Sequence, residues 1–340
     1  MNDNSSSKRG HAVALFSGGL DSSLAILLVL RQDIEVTALT FLTHFGCDIT
    51  DKSSCGSNPY PMAEKFGFSV KLMHLGEKFI DIVKKPRFGY GKNMNPCIDC
   101  RILMLREAKQ FMEMVGADFI ITGEVIGQRP KSQFRGSMNL VERESGLEGY
   151  LVRPLSARLF PETIPEQKGL LDRNKLEAIS GRSRHRQMEL AAELGLTDYP
   201  NPAAGCLLTD IGYSKRLRDL LKHTEKIDFD DLNLLRVGRH FRLDEGTKLI
   251  VGRHESDNNK IMKYARPGEI MLEALGTGSP VALLIGEGAE SNLNKAAAIT
   301  ARYCDSKDQS LVEITCINDG DGRRLKVAPA HPGDAKSYLI

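Results

Sequence analysis

The fold is decided by a stretch near the start of the chain, Ala12-Val13-Ala14-Leu15-Phe16 followed by Ser17-Gly18-Gly19-Leu20-Asp21-Ser22-Ser23. The apolar run predicts a buried parallel strand, and the apolar positions from Leu24 to Leu30 predict a helix directly after the glycine turn. Adjacent glycines let a phosphate approach the backbone closely, and the amino-terminal end of a helix favours negative charge. The stretch therefore predicts an anion cradle between a strand and a helix.

Polar side chains of the same stretch suit this cradle. The hydroxyl groups of Ser17, Ser22 and Ser23 are hydrogen-bond donors for a phosphate. A carboxylate at Asp21 would repel a phosphate unless a divalent cation lay between them, so we assign Asp21 to Mg²⁺. The glycines are followed neither by Gly-Lys-Ser/Thr nor by the Gly-x-Gly-x-x-Gly pattern, which excludes those two kinds of phosphate loop.

The order of strand, Ser-Gly-Gly-Leu-Asp-Ser-Ser and helix resembles the PP-loop of the ATP pyrophosphatase superfamily. The resemblance implies that ATP is cut between its α- and β-phosphates, that a carbonyl oxygen is adenylated, and that a nucleophile displaces AMP. The end of the second strand, at Thr40 and Phe41, would then hold the adenine through main-chain groups. The implied phosphate and metal ligands are Ser17, Gly18, Gly19, Asp21, Ser22 and Ser23. The plainer interpretation is a glycine pair before an ordinary helix.

Length and charge limit the rest of the protein. At 340 residues the chain is long for one core. Predicted strands at residues 35–41, 69–75 and 117–123 alternate with predicted helices, which indicates a doubly wound α/β sheet. A net charge of +2 confines any polyanion site to a local patch. The polar start lacks a secretory segment and no apolar run could span a bilayer, so we expect a cytoplasmic protein with no membrane partner.

A Cys-x-x-Cys motif stands in Asn95-Pro96-Cys97-Ile98-Asp99-Cys100-Arg101, before a third helix predicted from about residue 102 to residue 115. A helix start lowers the pKa of a thiol and favours the thiolate, which attacks sulfur or binds metal. Together with the strand ending at Thr122-Gly123-Glu124, the motif is similar to the tRNA 2-thiouridylases and 4-thiouridine synthases, both PP-loop enzymes. The 2-thiouridylases usually carry Thr-Gly-His where this chain has Glu124. Gly123 is expected to pack its backbone against the nucleotide.

A third cysteine, Cys206, follows the Pro/Gly turn at residues 202–205, at a distance comparable to that of the second reactive cysteine in those enzymes. In one mechanism Cys206 carries a persulfide and Cys97 resolves it as a disulfide. In the other, Cys97, Cys100 and Cys206 hold three irons of a [4Fe-4S] cluster. We favour the cluster, because a Cys-x-x-Cys pair plus one remote cysteine is the pattern of the cluster-dependent tRNA thiolases. A structural zinc site lacks a fourth ligand at conventional spacing.

The other cysteines are expected to be ordinary thiols, with Cys47 and Cys55 in a loop and Cys304 and Cys316 in the core. Basic side chains are denser elsewhere. Two short helices are predicted near residues 174–179 and 187–194. Arg182, Arg184 and Arg186 precede the second of them, and such a cluster suits RNA phosphates. The alternative is a solvated face. Residues 128–132, with Gln128, Arg129 and Lys131, are expected either to hold a polyphosphate or to form a solvated loop.

An acidic connection places the predicted domain boundary between residues 225 and 226, giving a domain over 1–225 and a smaller α+β domain over 226–340. Residues 235–243 and 248–253 predict two strands joined by a turn at 244–246, and Asn258 and Asn259 are expected to cap the helix that follows. The order Val251-Gly252-Arg253-His254-Glu255, two asparagines, an apolar strand, an alanine-rich helix and a final strand resembles the NFACT RNA-binding domain. That resemblance implies that Arg253 and its turn neighbours contact RNA. The alternative is an unrelated small α+β domain.

The sequence therefore predicts a PP-loop enzyme that thiolates a tRNA uridine, using ATP and Mg²⁺. Its sulfur would come from a cysteine desulfurase, a persulfide carrier or free sulfide. A first rival is a PP-loop enzyme that adenylates a small acid, such as an amide ligase or a cofactor sulfur-insertion enzyme. A second rival is a non-catalytic RNA-binding protein with a relic nucleotide site.

Overall fold

The apolar run before the glycine turn forms β1, Gly10–Leu15, at the centre of a parallel sheet. The computed structural model describes residues 9–45, 58–199 and 206–340. The chain divides into two units, residues 1–210 and 211–340, so the division lies upstream of the boundary predicted after residue 225. It does so because the basic helix after residue 210 belongs to the second unit, where Arg242 Nη2 lies 2.6 Å from Asp219 Oδ2.

The first unit is a doubly wound α/β sheet, as predicted, with all strands parallel in the order β3-β2-β1-β4-β5. Its other strands are β2 Ile34–Leu42, β3 Ser69–His74, β4 Phe119–Thr122 and β5 Leu151–Val152. Its helices are α1 Leu20–Leu30, α2 Tyr60–Phe66, α3 Gly76–Lys84, α4 Cys97–Val115, α5 Arg135–Ser145, α6 Ile164–Gln167 and α7 His185–Glu193. The strand order reverses at β1, and ligands of open α/β sheets bind at the carboxyl ends of strands at such a point.

The core of this unit holds β1 and α1 in place. Ala12 and Val13 of β1 and Leu24 and Ile26 of α1 have no exposed surface. Leu190 of α7 belongs to the same hydrophobic cluster as the α1 side chains. Both ends of the glycine turn are therefore anchored, so the turn itself has little freedom to move.

Two sequence predictions in this unit differ from the structure. The prediction of a helix near residues 174–179 was wrong, because this segment forms a short 3₁₀ turn, Arg173–Lys175, and then an extended chain. The amides of Glu177 and Ile179 donate instead to the carbonyls of Pro154 and Leu155, at 2.9 and 2.8 Å, which satisfies them without a helix. Helix α4 begins at Cys97, not near residue 102, and its Asp99 carboxylate accepts the backbone amides of residues 87 and 88.

The second unit is built on an antiparallel sheet of order β11-β10-β8-β9-β7-β6. Its strands are β6 Arg239–Asp244, β7 Thr247–Val251, β8 Ile270–Ala274, β9 Ala282–Ile285, β10 Val312–Asn318 and β11 Asp321–Val327. Its helices are α8 Ile211–His223, α9 Phe229–Leu234, α10 Glu255–Tyr264, α11 Ala289–Arg302 and α12 Pro332–Ser337. The hairpin predicted between β6 and β7 is present, and Cys304 and Cys316 are core thiols, as expected.

Helix α10 begins three residues before the predicted asparagine cap. His254 caps it, since its Nδ1 accepts the amide of Asp257 at 3.3 Å. Asn258 Oδ1 accepts the Val281 amide at 3.1 Å instead, joining α10 to the strand segment before β9. Among the described residues, no helix combines the length and the apolar character that crossing a membrane requires. Cys47, Cys55 and the Pro/Gly turn at 202–205 lie outside the described residues.

Candidate nucleotide and sulfur site

The glycine turn joins β1 to α1 in the conformation that an anion cradle needs. Gly18 has a φ of 72°, which glycine adopts without strain, and Gly19 is the N-cap of α1. Within the described part of the chain, no side chain caps this helix. The amides of its first turn are therefore placed to meet an anion at the carboxyl end of β1.

The predicted hydroxyl donors divide into two groups. Ser22 Oγ and Ser23 Oγ are buried and donate to the Gly19 carbonyl, at 2.9 and 3.0 Å. Ser17 is exposed, and its Oγ lies 3.2 Å from Ser22 Oγ. The two buried serines hold the shape of the turn, while Ser17 is open to a ligand. Phosphate contact by these serines stays a prediction.

The carboxyl ends of β1 and β2 are tied together beside the turn. Thr40 Oγ1 donates to the Phe16 carbonyl at 3.0 Å, and the Phe16 amide donates to the Leu39 carbonyl at 2.9 Å. The side chains of Thr40 and Phe41 are buried. Adenine contact by their main-chain groups stays a prediction, and the Thr40 hydroxyl has a structural role.

Asp21 lies within a network that its sequence neighbours do not reveal. Its Oδ2 accepts Gln128 Nε2 at 2.7 Å and lies 3.8 Å from Arg184 Nη2. Gln128 Oε1 in turn accepts Gln187 Nε2 at 3.1 Å, and Gln187 is completely buried. Asp21 Oδ1 is buried without a hydrogen-bond partner among the described residues, so this oxygen suits a cation. Gln187 was missed by the sequence analysis, because a glutamine in an amphipathic helix carries no signal of its own.

The strand end after β4 packs directly on residues 17–23, the glycine turn and the start of α1, which we call the phosphate loop. A Cβ at Gly123 would stand 2.5 Å from the Asp21 carbonyl carbon and the Ser22 amide nitrogen. Gly123 therefore packs against the backbone of the loop, where the sequence analysis had expected the nucleotide. Nucleotide contact by Gly123 stays a prediction.

Glu124, the residue that departs from the Thr-Gly-His pattern, is buried between two arginines. Its carboxylate oxygens lie 3.2 Å from Arg101 Nε and 3.4 Å from Arg153 Nε. Burial by itself raises the pKa of Glu124, but the charges and hydrogen bonds of these arginines bring the pKa below its ordinary value. Arg101 follows Cys100 in α4, so the ion pair fastens the cysteine helix to the strand end beside the phosphate loop.

Hydrogen bonds bring the segments of Cys97 and Cys206 together. The Met94 amide donates to the Leu208 carbonyl at 3.0 Å, and Asn93 Nδ2 donates to the Thr209 carbonyl at 2.6 Å. Cys97, Cys100 and Cys206 are all partly exposed thiols. The described residues contain no group of three or more His, Cys, Asp or Glu side chains placed to hold a metal ion. The thiols therefore share a region without forming a ready ligand set.

Two family models match the chain. The model described as thiamine biosynthesis protein (ThiI) matches residues 7–157, which contain the phosphate loop, Cys97, Cys100 and Glu124. The model of the NFACT protein RNA binding domain matches residues 238–339. The first unit is therefore similar to the ThiI family over residues 7–157, and we call it the PP-loop unit after the resemblance of its glycine turn. The second unit is similar to the NFACT RNA binding domain over residues 238–339, and we call it the NFACT-type unit.

The chain is also similar to individual proteins. A tRNA-specific 2-thiouridylase MnmA of Cytophaga hutchinsonii is 26% identical over 275 residues, which cover 73% of this chain and 66% of the relative. A probable tRNA sulfurtransferase of Thermococcus kodakarensis is 29% identical over 156 residues, 43% of this chain and 37% of the relative. The chain thus spans less than two thirds of the length of these relatives. The solved complex of a 4-thiouridine synthetase with RNA and bound ATP aligns at 20% identity over 55% of this chain and 52% of that one, with a TM-score of 0.35.

In the PP-loop unit, the three clustered arginines have different surroundings. Arg186 contacts Glu177 and Glu193, each at 2.7 Å, and these hydrogen bonds raise its pKa. Arg184 faces Asp21, and Arg182 is exposed. The sequence near the cluster holds no interleaved acids, but the fold supplies carboxylates from other segments. RNA contact by the three arginines stays a prediction, and Arg182 is the member most open to it.

In the NFACT-type unit, Arg253 is paired with a neighbour on its own turn. Its Nε lies 2.7 Å from Asp257 Oδ2, and this hydrogen bond raises the pKa of Arg253. Asp257 also accepts the amides of Gly238 and Arg253, so the pair holds the turn before α10 together. RNA contact by Arg253 likewise stays a prediction.

A buried charge cluster lies between α8 and the β6–β7 hairpin. Asp219 contacts Arg242 at 2.6 Å and Lys248 at 3.5 Å, and it lies beside His223. Burial lowers the pKa of Lys248 to about 8, although the charge of Asp219 opposes the shift. His240, completely enclosed nearby, has a pKa well below its ordinary value, chiefly because of burial. Asp219 of α8 thus binds side chains of both β6 and β7, which gives the cluster a structural role.

Proposed function

We propose that the protein thiolates a uridine of tRNA and uses ATP to activate the base. The observation that carries this proposal is the joining of the phosphate loop to the cysteine helix. Gly123 packs on the loop backbone at Asp21, and the adjacent Glu124 pairs with Arg101 of α4. A nucleotide at the loop and a thiol at the start of α4 would thus be held at one end of the same sheet.

In the proposed reaction, a uridine carbonyl oxygen attacks the α-phosphorus of ATP and the bond to pyrophosphate breaks. A sulfur nucleophile then displaces AMP from the activated carbon. The loop amides would bind the phosphates, and Asp21 would hold Mg²⁺, which supplies positive charge between the carboxylate and the phosphates. The free Asp21 Oδ1 supports that assignment. Donors consistent with this chemistry are a cysteine desulfurase, a persulfide carrier or free sulfide.

The thiols of Cys97 and Cys206 would handle the sulfur, since hydrogen bonds hold their segments together. We expect Cys97→Ser and Cys206→Ser each to lose sulfur transfer, measured as thionucleoside formed on tRNA in vitro. Cys100→Ser separates the two mechanisms proposed for these thiols. Loss of transfer in that variant would favour a [4Fe-4S] cluster, whereas full activity would favour a persulfide on Cys206.

The substrate class is tested by mass spectrometry of nucleosides from bulk tRNA. The strains are a deletion strain and the same strain complemented with the wild type or with Cys206→Ser. We expect one thionucleoside to disappear and to return only with the wild type. If every thionucleoside persists and no redundant thiolase is present, the proposal fails and a small acid becomes the expected substrate. ATP cleavage that RNA does not stimulate would point the same way. The cytoplasmic location belongs to this same proposal.

A further inference from the structure

The start of α7 and the residue before it are linked to Asp21 of the phosphate loop, once directly and once through Gln128. Arg184 Nη2 lies 3.8 Å from Asp21 Oδ2, and Gln187 Nε2 contacts Gln128 Oε1, whose own amide group donates to the same Asp21 oxygen. Residues 184–187 are far along the chain from the loop. Two separate contacts therefore fasten the start of α7 to Asp21.

The direction of the hydrogen bonds in this relay is determined by Asp21. A carboxylate only accepts, so Gln128 must turn its NH₂ group toward Asp21 and its oxygen toward Gln187. Gln187 must then donate, which leaves its Oε1 buried without a hydrogen-bond partner among the described residues. Because α7 also packs on α1 through Leu190, the relay is held rigidly.

Charge distinguishes Arg184 from its neighbours. Arg186 is held by Glu177 and Glu193, and Arg182 is exposed. Arg184 is only a quarter exposed, and its ion-pair partner is the acidic residue of the phosphate loop. A polyphosphate at this loop would be repelled by Asp21 and attracted by Arg184, whose guanidinium can bind two phosphate oxygens at once.

We propose that Arg184 binds the polyphosphate of ATP, and that Gln187 and Gln128 are positioning residues that hold the Arg184 segment and Asp21 in place. In the nucleotide complex Arg184 transfers from Asp21 to phosphate oxygens, and the carboxylate of Asp21 is released for the cation. This assignment rests on the proposed use of ATP. It departs from the sequence-based expectation that Arg184 contacts RNA.

The test measures ATP and tRNA binding separately, with Mg²⁺ present, on the full chain. We expect Arg184→Gln to weaken ATP binding about 10- to 100-fold, the effect of losing a charged hydrogen bond, and to leave tRNA affinity unchanged. Arg184→Lys should recover part of the affinity, because an ammonium group restores the charge without the planar fork. Arg158→Gln, which removes an exposed positive charge from the same unit, is the matched control and should change neither affinity.

Loss of tRNA affinity in Arg184→Gln with normal ATP affinity would overturn the proposal and would indicate that Arg184 contacts RNA. No change in either affinity would also overturn it. Both affinities are measured without sulfur transfer. An Arg184-dependent ATP affinity in a protein that thiolates no tRNA would therefore refute the proposed function and leave this inference standing.

The positioning role is tested by Gln187→Met, which keeps the length of the side chain but removes its donor. We expect ATP affinity to fall in this variant, and to fall no further when Arg184→Gln is added, because both act on one contact. Thermal unfolding checks that the variant folds, and Gln128→Met provides a second measurement if it does not. Full additivity of the two losses would refute the relay.

Discussion

Replacing Gly123 with alanine adds a single methyl group at the point where β4 meets the phosphate loop. The new Cβ would lie 2.5 Å from the Asp21 carbonyl carbon and the Ser22 amide nitrogen, and 2.6 Å from the Asp21 carbonyl oxygen. All three are backbone atoms, so no side chain can rotate away to make room. The strand end and the start of α1 must therefore separate.

The size of the effect follows from these distances. An ordinary contact begins at 3.4 Å, so the two backbones must move apart by about 1 Å. Leu24 and Ile26 hold α1 in the core, and overpacking of this kind costs about 1–3 kcal/mol. A displacement of about 1 Å at a reacting group lowers activity on the order of 100-fold. We expect Gly123→Ala to lose both stability and ATP turnover.

The assay combines urea unfolding with the rate of tRNA-dependent pyrophosphate release. Gly136→Ala is the matched control, because a Cβ at Gly136 has no heavy atom within 4 Å and the residue lies in α5. The free energy of unfolding of Gly136→Ala should equal that of the wild type or exceed it by up to about 1 kcal/mol. Wild-type stability and turnover in Gly123→Ala would refute the claim that this contact sets the position of the loop.

Two further predictions concern buried charges. Glu124→Gln should destabilise the protein at pH 7 by about 3 kcal/mol, because it leaves Arg101 and Arg153 without their shared carboxylate. The pKa of Glu124 is lowered in the fold, so its contribution is complete above the ordinary value of 4.5 and is lost as pH falls through the folded pKa. Urea unfolding of the wild type and of Glu124→Gln should show that their difference in unfolding free energy shrinks from neutral to acid pH. A difference that stays constant would contradict this prediction. Lys248 has a folded pKa of about 8 against an ordinary 10.5, so the unfolded chain binds its proton more tightly. Wild-type stability should therefore rise relative to Lys248→Met by about 3 kcal/mol between pH 8 and 10.5, and a flat difference would show that Lys248 titrates normally.

Local patterns determined the framework of this protein from the sequence alone. The apolar run, the two glycines and the helix periodicity predicted β1, the turn and α1, because each depends on neighbouring residues. The Cys-x-x-Cys motif was placed correctly at a helix start, although α4 begins earlier than predicted. The same local reasoning found the β6–β7 hairpin and the core thiols.

The contacts that distinguish the site were decided only by the tertiary structure. Arg184 and Arg186 are two positions apart, yet one faces Asp21 and the other is held by Glu177 and Glu193. Nothing in the basic run separates them, because their partners come from segments that the sheet order and the packing of α7 bring near. Gly123 meets the loop for the same reason. Sequence patterns report neighbours along the chain, whereas a buried charge or a close backbone approach depends on which distant segment lies opposite.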